Sequence, residues 1–513
     1  MTTALKWPSQ DGQGSGHSGQ GRSADGRPAP WPELPSPPRR SWFVRDPAWP
    51  ITALLVGWPL WWALGIGAYM PFFIAIPMAW RMYRWRATGS RRIKVPRGFG
   101  IWVLFLVLMV ISVTMVSQSA PGTIPSPASH RVGSWALRAI QYFACTIILL
   151  YAGNLTEREL SRRRLAWQLG LVAVYGIIFG FLDIALPGLS FSSPFAALIP
   201  SSVQQADPTI ANMLHPALNQ QHLFGGHGRP SAPFTYANWW GENVALVLPW
   251  LVVAWWQRGT RRQRRIAGVI LAVAIVPIIL SFNRGLWVAV VFAGIYLAVR
   301  FAMQGRGTML GALLAGLVFV VIVVLATPLK GAISERLSTP GSATGRENLG
   351  VLTIKGVIAS PMLGYGDTRH AAGSENSITL GRTAGCSECG NADVGVNGQI
   401  WLLMYTNGLP ATIFYLSFFG YGIWRYRRDK SSYGMAGLLV LMLGFVFMWV
   451  YTQLGPPLAF TMLGYVLLWK NDREPPEQDA LPEETGGSAL HSGSRPAITA
   501  GGTNGTLPRI REA

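Results

Sequence analysis

Few ionisable side chains in this sequence lie beside long apolar runs, and those few are the candidates for chemistry. Arg284 sits in the tight turn Ser281-Phe282-Asn283-Arg284-Gly285 between two apolar stretches. A charge at membrane depth is costly and marks a functional site by default. The alternative is an arginine whose stem follows apolar surface while its head reaches lipid head groups. Its guanidinium presents a planar fork that matches phosphate oxygens, so an anionic group is its natural ligand. Glu242, in Tyr236-Ala237-Asn238-Trp239-Trp240-Gly241-Glu242-Asn243, opens another apolar run. A desolvated carboxylate there suits general-base work; the alternatives are a partner for an arginine such as Arg284, or a plain boundary residue. Tyr236, Trp239 and Trp240 offer rings for stacking on sugars, or belong to an interfacial aromatic belt. Arg229, in Gly228-Arg229-Pro230, and Arg346 are further phosphate candidates, set against solvated loop arginines. His370 follows Asp367 and Arg369 and titrates in the range a base needs near neutral pH, unless it is a solvated loop histidine. Cys386-Ser387-Glu388-Cys389 is a lone pair of cysteines; zinc would need two more ligands. In an oxidising compartment a local disulfide is the expectation.

The element that must position much of this is a polar segment, 329–396, between two apolar runs. A loop that long is usually functional or disordered, and this one is not of low complexity. Thr344-Gly345-Arg346-Glu347 reads as a capping box opening a helix. An apolar-rich segment follows (Leu349, Leu352, Ile354, Val357, Ile358), and Pro361 should stop it. Gly364-Tyr365-Gly366 then predicts a turn. The segment is expected to form a cap over a site on one face of a membrane protein.

Composition sets the frame. Half of the 513 residues are hydrophobic and 13% are charged, roughly half the charged share of a soluble chain. Many runs approach the ~18 apolar residues that mark a membrane helix. The fold class expected is an all-α polytopic membrane protein with about twelve transmembrane helices in 49–469, flanked by disordered tails at 1–48 and 470–513. Net charge is +20, but the basic residues fall in short loops. Residues 81–97 hold seven and no acid, 157–164 hold four arginines, and 258–265 hold five. That is the positive-inside pattern, not a nucleic-acid patch. It places both termini in the cytoplasm and the loop 329–396 outside, with the lipid bilayer as partner. The stretch 51–80, basic at both ends, is expected to be a hairpin turning near 65–69. No cleavable signal peptide is visible: the first 48 residues hold no early apolar run. Nucleotide-binding loops and metalloprotease or serine-hydrolase motifs are absent from the sequence.

Several segments line up in order with a known family. Pro233-Phe234-Thr235-Tyr236-Ala237-Asn238 before a span ending in Leu248-Pro249, the turn Ser281–Trp287, Gly345-Arg346 with Ser360-Pro361-Met362-Leu363-Gly364-Tyr365-Gly366, and Asn407-Gly408-Leu409-Pro410 together resemble the O-antigen ligase and O-antigen polymerase superfamily. The resemblance covers about half the chain, roughly 165–421. It implies a polyprenyl-diphosphate-linked glycan as donor, on the outer face of the cytoplasmic membrane, without metal or other cofactor. Other polysaccharide-assembly proteins would be natural partners. Arg284 and Arg346 match the family's diphosphate contacts, and Arg229, Asn238, Trp239, Trp240, Asn397 and Gln399 fall where substrate would bind. The family's histidine before the "G-l-p" helix is replaced here by Asn397, followed by Gly398-Gln399, and a neutral amide is no base near pH 7. Glu242 or His370 would have to take that role. Two other classes share these features: a transporter or flippase of lipid-linked sugars, which predicts internal repeats and broken helices, and a non-catalytic envelope scaffold. The sequence contains no clear repeat.

Overall fold

The computed structural model describes residues 46–124, 128–206, 208–220, 228–326, 341–372 and 393–473, and these are mostly helical. The first apolar stretch forms α1 (Trp49–Val56), α2 (Trp58–Leu64) and α3 (Met70–Ala87). Each has a proline in its first turn, where a missing N–H costs nothing. The chain reverses through Gly65, with φ of 77°, and a 3-10 turn at Gly67–Tyr69. Next come α4 (Phe99–Ile111), α5 (Ala128–Asn154) and α6 (Arg162–Ala185). Two short helices, α7 (Ser201–Ala206) and α8 (Pro208–Leu214), and an antiparallel pair, β1 (Asn219–Gln220) with β2 (Arg229–Pro230), fold the segment after α6. Then follow α9 (Ala237–Leu251), α10 (Arg261–Val273), α11 (Ile275–Leu280), α12 (Arg284–Met303) and α13 (Gly307–Ala326). The polar segment contributes α14 (Gly341–Ala359) and a second antiparallel pair, β3 (Arg369–His370) with β4 (Asp393–Val394). The chain continues with α15 (Gln399–Tyr426), α16 (Ser432–Phe447) and α17 (Pro456–Arg473).

The interior is aromatic. Trp102 of α4 sits among Phe105, Tyr415, Phe418 and Phe419, with ring centroids 5.0 to 5.9 Å apart. Small residues let helices approach, the usual device where lipid removes the hydrophobic drive between them. Gly176 and Gly180 of α6 face Val244 and Trp240 of α9, and the Trp240 indole donates to the Gly176 carbonyl at 3.0 Å.

Polar contacts sort the connections to two ends of the bundle. At one end the basic segments meet: Arg91 pairs with Glu159 at 2.7 Å, Arg164 with Asp46 at 2.7 Å and Arg425 with Asp472 at 2.9 Å. Arg91 and Thr156 hold the Glu159 carboxyl below its usual range against the opposing pull of burial. Lys470, expected in a disordered tail, is instead buried in α17 and donates to the Leu155 and Leu160 carbonyls at 2.7 and 2.8 Å. At the other end, Trp58 donates to Pro233, Arg229 to Ser281 and Arg369 to Val116.

Four helices among the described residues are long and apolar enough to cross a membrane: Arg131–Asn154, Arg162–Ala185, Arg261–Leu280 and Arg284–Met303. The expected twelve are therefore not matched one for one. Several runs are cut short or interrupted: α1 and α2 break at Gly57, α3 carries Pro77 and ends in Arg84 and Arg86, and α15 kinks at Gly408. Phe99–Met115, Gly307–Val320 and Ser432–Phe447 are apolar but shorter. The windows of 261–280 and 284–303 are only 22% and 17% buried, so their apolar side chains face outward, as lipid contact requires.

Candidate functional site

The turn between α11 and α12 ties three elements together. Asn283 caps α12: its Oδ1 accepts from the Leu286 N–H at 2.9 Å, satisfying one of the orphan donors of the first turn. The same oxygen accepts from the Tyr451 hydroxyl, and Asn283 Nδ2 donates to the Ala237 carbonyl at 3.3 Å. The starts of α9 and α12 and the segment after α16 thus share one residue. Arg284 is the first residue of α12, partly exposed. Arg229 Nε donates to the Ser281 carbonyl at 2.8 Å and its Nη2 to Asn238 Oδ1 at 3.1 Å. Arg229 and Asn238 are therefore joined to the turn that ends at Arg284, beside the positive end of the α12 dipole. An anion suits such a place.

The neighbouring candidates behave differently. Trp239 is half-buried and donates to the Thr452 carbonyl at 3.3 Å. Trp240 is fully buried against α6, which leaves no ring face for a sugar; its role is packing. Glu242 is fully buried; its carboxylate makes no close hydrogen bond, and the Gln453 side chain is the polar group beside it. The ion pair with Arg284 is not formed. Gln399 is also fully buried: Nε2 donates to the Tyr142 hydroxyl at 2.6 Å, and Oε1 accepts from the Gln453 N–H at 2.9 Å. It braces α5, α15 and the segment after α16 rather than facing open space.

Asn397 precedes a head-to-tail junction. The Gln399 and Ile400 N–H groups donate to the carbonyls of Tyr451 and Met448, at 2.8 and 3.0 Å. The free donors of α15 thus satisfy the free acceptors that end α16. Gly398 permits this, because a Cβ there would stand 2.6 Å from the Trp449 carbonyl oxygen. Asn397 Nδ2 lies 3.6 Å from where a Cβ on Gly350 would stand, which puts Asn397 against α14. Arg346 belongs to α14, and its side chain lies outside the described residues. Thr344 is not a helix cap, because α14 already includes Gly341. Cys386 and Cys389 lie outside the described residues.

The polar segment docks on a flaw in α15. Pro410 has no N–H, so the Thr406 carbonyl loses its helical partner, and Gly408 leaves the helix with φ of 81°. The turn at 361–366 fills the gap. Tyr365 N–H donates to the Tyr405 carbonyl at 2.9 Å, Gly366 N–H to Thr406 at 2.7 Å, and Leu409 N–H to Pro361 at 2.7 Å. Arg369 then pins the segment. Fully buried, it donates to the carbonyls of Val116, Gln118, Tyr365, Asp367 and Thr368 at 2.9 to 3.1 Å. Burial, with Arg131 nearby, pushes its pKa down to about 10. Arg138 pairs with Asp367.

His370 stands at the rim of this pin. Its Nδ1 lies 2.7 Å from Asp393 Oδ1, and its side chain is half exposed. The hydrogen bond to Asp393 outweighs burial and raises the imidazole pKa above its ordinary value. Contact with the carboxylate at Nδ1 leaves Nε2 for another partner. Arg131, Arg138 and Asp393 were missed by sequence reasoning. Arg131 and Arg138, seven residues apart on one face of α5, carried a signal; Asp393 acquires its role only through the β3–β4 pairing. The structure thus makes two groups at one end of the bundle: Arg229, Asn238 and Arg284 at the 281–284 turn, and His370 with Asp393 on the docked segment.

No family model matches the chain, and no curated protein matches it. Among the described residues, no three His, Cys, Asp or Glu side chains cluster as metal ligands.

Proposed function

We propose that this chain is a membrane glycosyltransferase of the O-antigen ligase and polymerase type. It would move a polyprenyl-diphosphate-linked glycan to an acceptor, as a ligase, or to a growing chain, as a polymerase, in cell-surface polysaccharide synthesis. The observation that carries the reading is the joining of Arg229 and Asn238 to the turn that ends at Arg284, at the end of the bundle opposite the basic loops. In this reading about twelve apolar segments pass through the cytoplasmic membrane, some as broken or shortened helices. The basic end and both termini are cytoplasmic, and the docked segment is outside.

The diphosphate lies against Arg284 and Arg229, with Arg346 as a further contact. These charges stabilise the polyprenyl diphosphate as the glycosidic C–O bond breaks, which is electrostatic stabilisation of a leaving group. An acceptor hydroxyl attacks the anomeric carbon, and its proton passes to a base. His370, oriented by Asp393 and half exposed, suits that role better than Glu242, which is sealed from solvent. Asn397, in the family's histidine position, is left as a substrate contact.

A second reading, a transporter of lipid-linked sugars, draws support from the kink at Gly408 and the break between α16 and α17, since broken helices line transport sites. One experiment separates the two. Purified protein in liposomes is given a labelled lipid-linked oligosaccharide and candidate acceptors, and products are resolved by size. A ladder identifies a polymerase and a single shift onto an acceptor identifies a ligase. Label crossing the bilayer without product would refute glycosyl transfer.

A further inference from the structure

Beneath the 281–284 turn lies a group of buried polar atoms that glycosyl transfer does not use. Glu242 and Asn243 are both fully buried in α9, and none of their four side-chain polar atoms makes a close hydrogen bond. Helical spacing directs them to one neighbour. Trp239, on the same side of α9, donates to the Thr452 carbonyl, and Trp250 lies against Gly464 of α17. Positions 242 and 243 flank that line, so both turn toward the side of α9 that meets α17 and the break before it.

The break supplies more acceptors. Gln453 lies beside the Glu242 carboxyl and is the one side chain among the described residues that hydrogen-bonds toward it, with its Nε2 also held by the Gly444 carbonyl at 2.9 Å. Its Oε1 is fully buried and without a partner. Four buried oxygens are therefore under-supplied with donors: the two of Glu242 share with the Gly444 carbonyl the single amide of Gln453, and one oxygen each on Asn243 and Gln453 has no close donor. Buried polar groups without partners are rare in native proteins and call for an explanation such as an ion. An ionised carboxylate in such surroundings is costly unless a counter-charge accompanies it. Among the described residues, no arginine or lysine acts on the Glu242 carboxyl. A proton on Glu242 would serve its own oxygen and one acceptor beside it and leave the others orphaned, whereas a metal cation is shared among several. Unwound backbone and side-chain oxygens at a helix break are a known setting for monovalent cations, and one carboxylate balances one positive charge.

We propose that Glu242, Asn243 and Gln453 form a binding site for a monovalent metal cation at the break between α16 and α17. Bound there, the ion would brace the segment from which Tyr451 holds Asn283, and so the turn that carries Arg284. The site does not depend on the glycosyl-transfer reading.

The test uses the purified full chain in lipid nanodiscs. Its melting temperature is followed as N-methylglucamine chloride is replaced by sodium or potassium chloride at constant ionic strength. Binding to the folded state alone raises stability in step with ligand concentration, so the expected result is a saturable rise with one or both metals. The rise should vanish in Glu242→Gln. Should that variant not fold, Gln453→Met is expected to raise the half-saturating cation concentration at least tenfold. Identical melting in all three salts would overturn the proposal. So would a metal-dependent rise that persists in Glu242→Gln, or one unchanged in Gln453→Met.

Discussion

Replacing Arg369 by methionine should release the docked segment while leaving the helical bundle folded. The magnitude follows from the hydrogen bonds. Arg369 donates to five carbonyls, but Arg131 also serves two of them, Val116 and Gln118, at 3.1 and 3.2 Å. The change therefore orphans three: Tyr365, Asp367 and Thr368. Each buried acceptor left without its donor costs roughly 1–3 kcal/mol. Relaxation and water entry at the rim reduce the sum, so about 3–5 kcal/mol is expected, in line with removal of one partner from a buried charged contact. At about 1.4 kcal/mol per tenfold, local opening becomes on the order of a hundred to a few thousand times more frequent. Hydrogen–deuterium exchange of peptides covering 112–124 and 360–372 reads this directly, with peptides from α6 and α9 as internal controls. Lysine, with three donors and no planar fork, should recover only part of the protection. Unchanged exchange in Arg369→Met would refute the view that this side chain pins the segment.

Gly408→Ala should also loosen the segment, since the added Cβ would strike Met362 and a non-glycine residue at this φ is strained. A cost of at least ~1–2 kcal/mol, read as a lower melting temperature, is expected. Tyr451→Phe removes the hydroxyl bond to Asn283 and should cost about 1 kcal/mol, with exchange rising first at the 281–286 turn. The His370–Asp393 contact predicts a pH dependence. Because the folded pKa is raised, its stabilisation is complete below the unfolded value near 6.5 and is lost as pH rises through the folded value. Exchange in 366–372 should therefore be slower at pH 6 than at pH 8 after correction for intrinsic rates, and His370→Gln should abolish the difference.

The helical character and the sorting of basic loops to one end were legible because composition and charge position carry them directly. Counting spans was harder. Part of the basic stretch 258–265 is helix: α10 begins at Arg261, since Thr260 and Gln263 form a capping box that draws the arginines into its first turn. Arg284 drew attention as a charge in an apolar setting, and Arg229 joined it through a backbone carbonyl that no spacing rule foretells. Thr344 looked like a helix cap, yet local pattern alone did not set that boundary. The docking of the 361–366 turn depends on carbonyls freed by Pro410, whose use lies in tertiary structure. Glu242 was visible as a candidate, but its burial beside Gln453 emerges only from the packing of α9 against a helix break.

The most direct test of glycosyl transfer compares the wild-type chain with Arg284→Ala, matched for insertion in liposomes and given a labelled polyprenyl-diphosphate oligosaccharide with acceptor. Loss of one group that stabilises developing charge typically costs about a hundred- to a thousandfold in rate. The account predicts glycan product from the wild type and a fall of that order in Arg284→Ala, partly restored in Arg284→Lys. Full turnover in Arg284→Ala, or no product from the wild type while label crosses the bilayer, would contradict it.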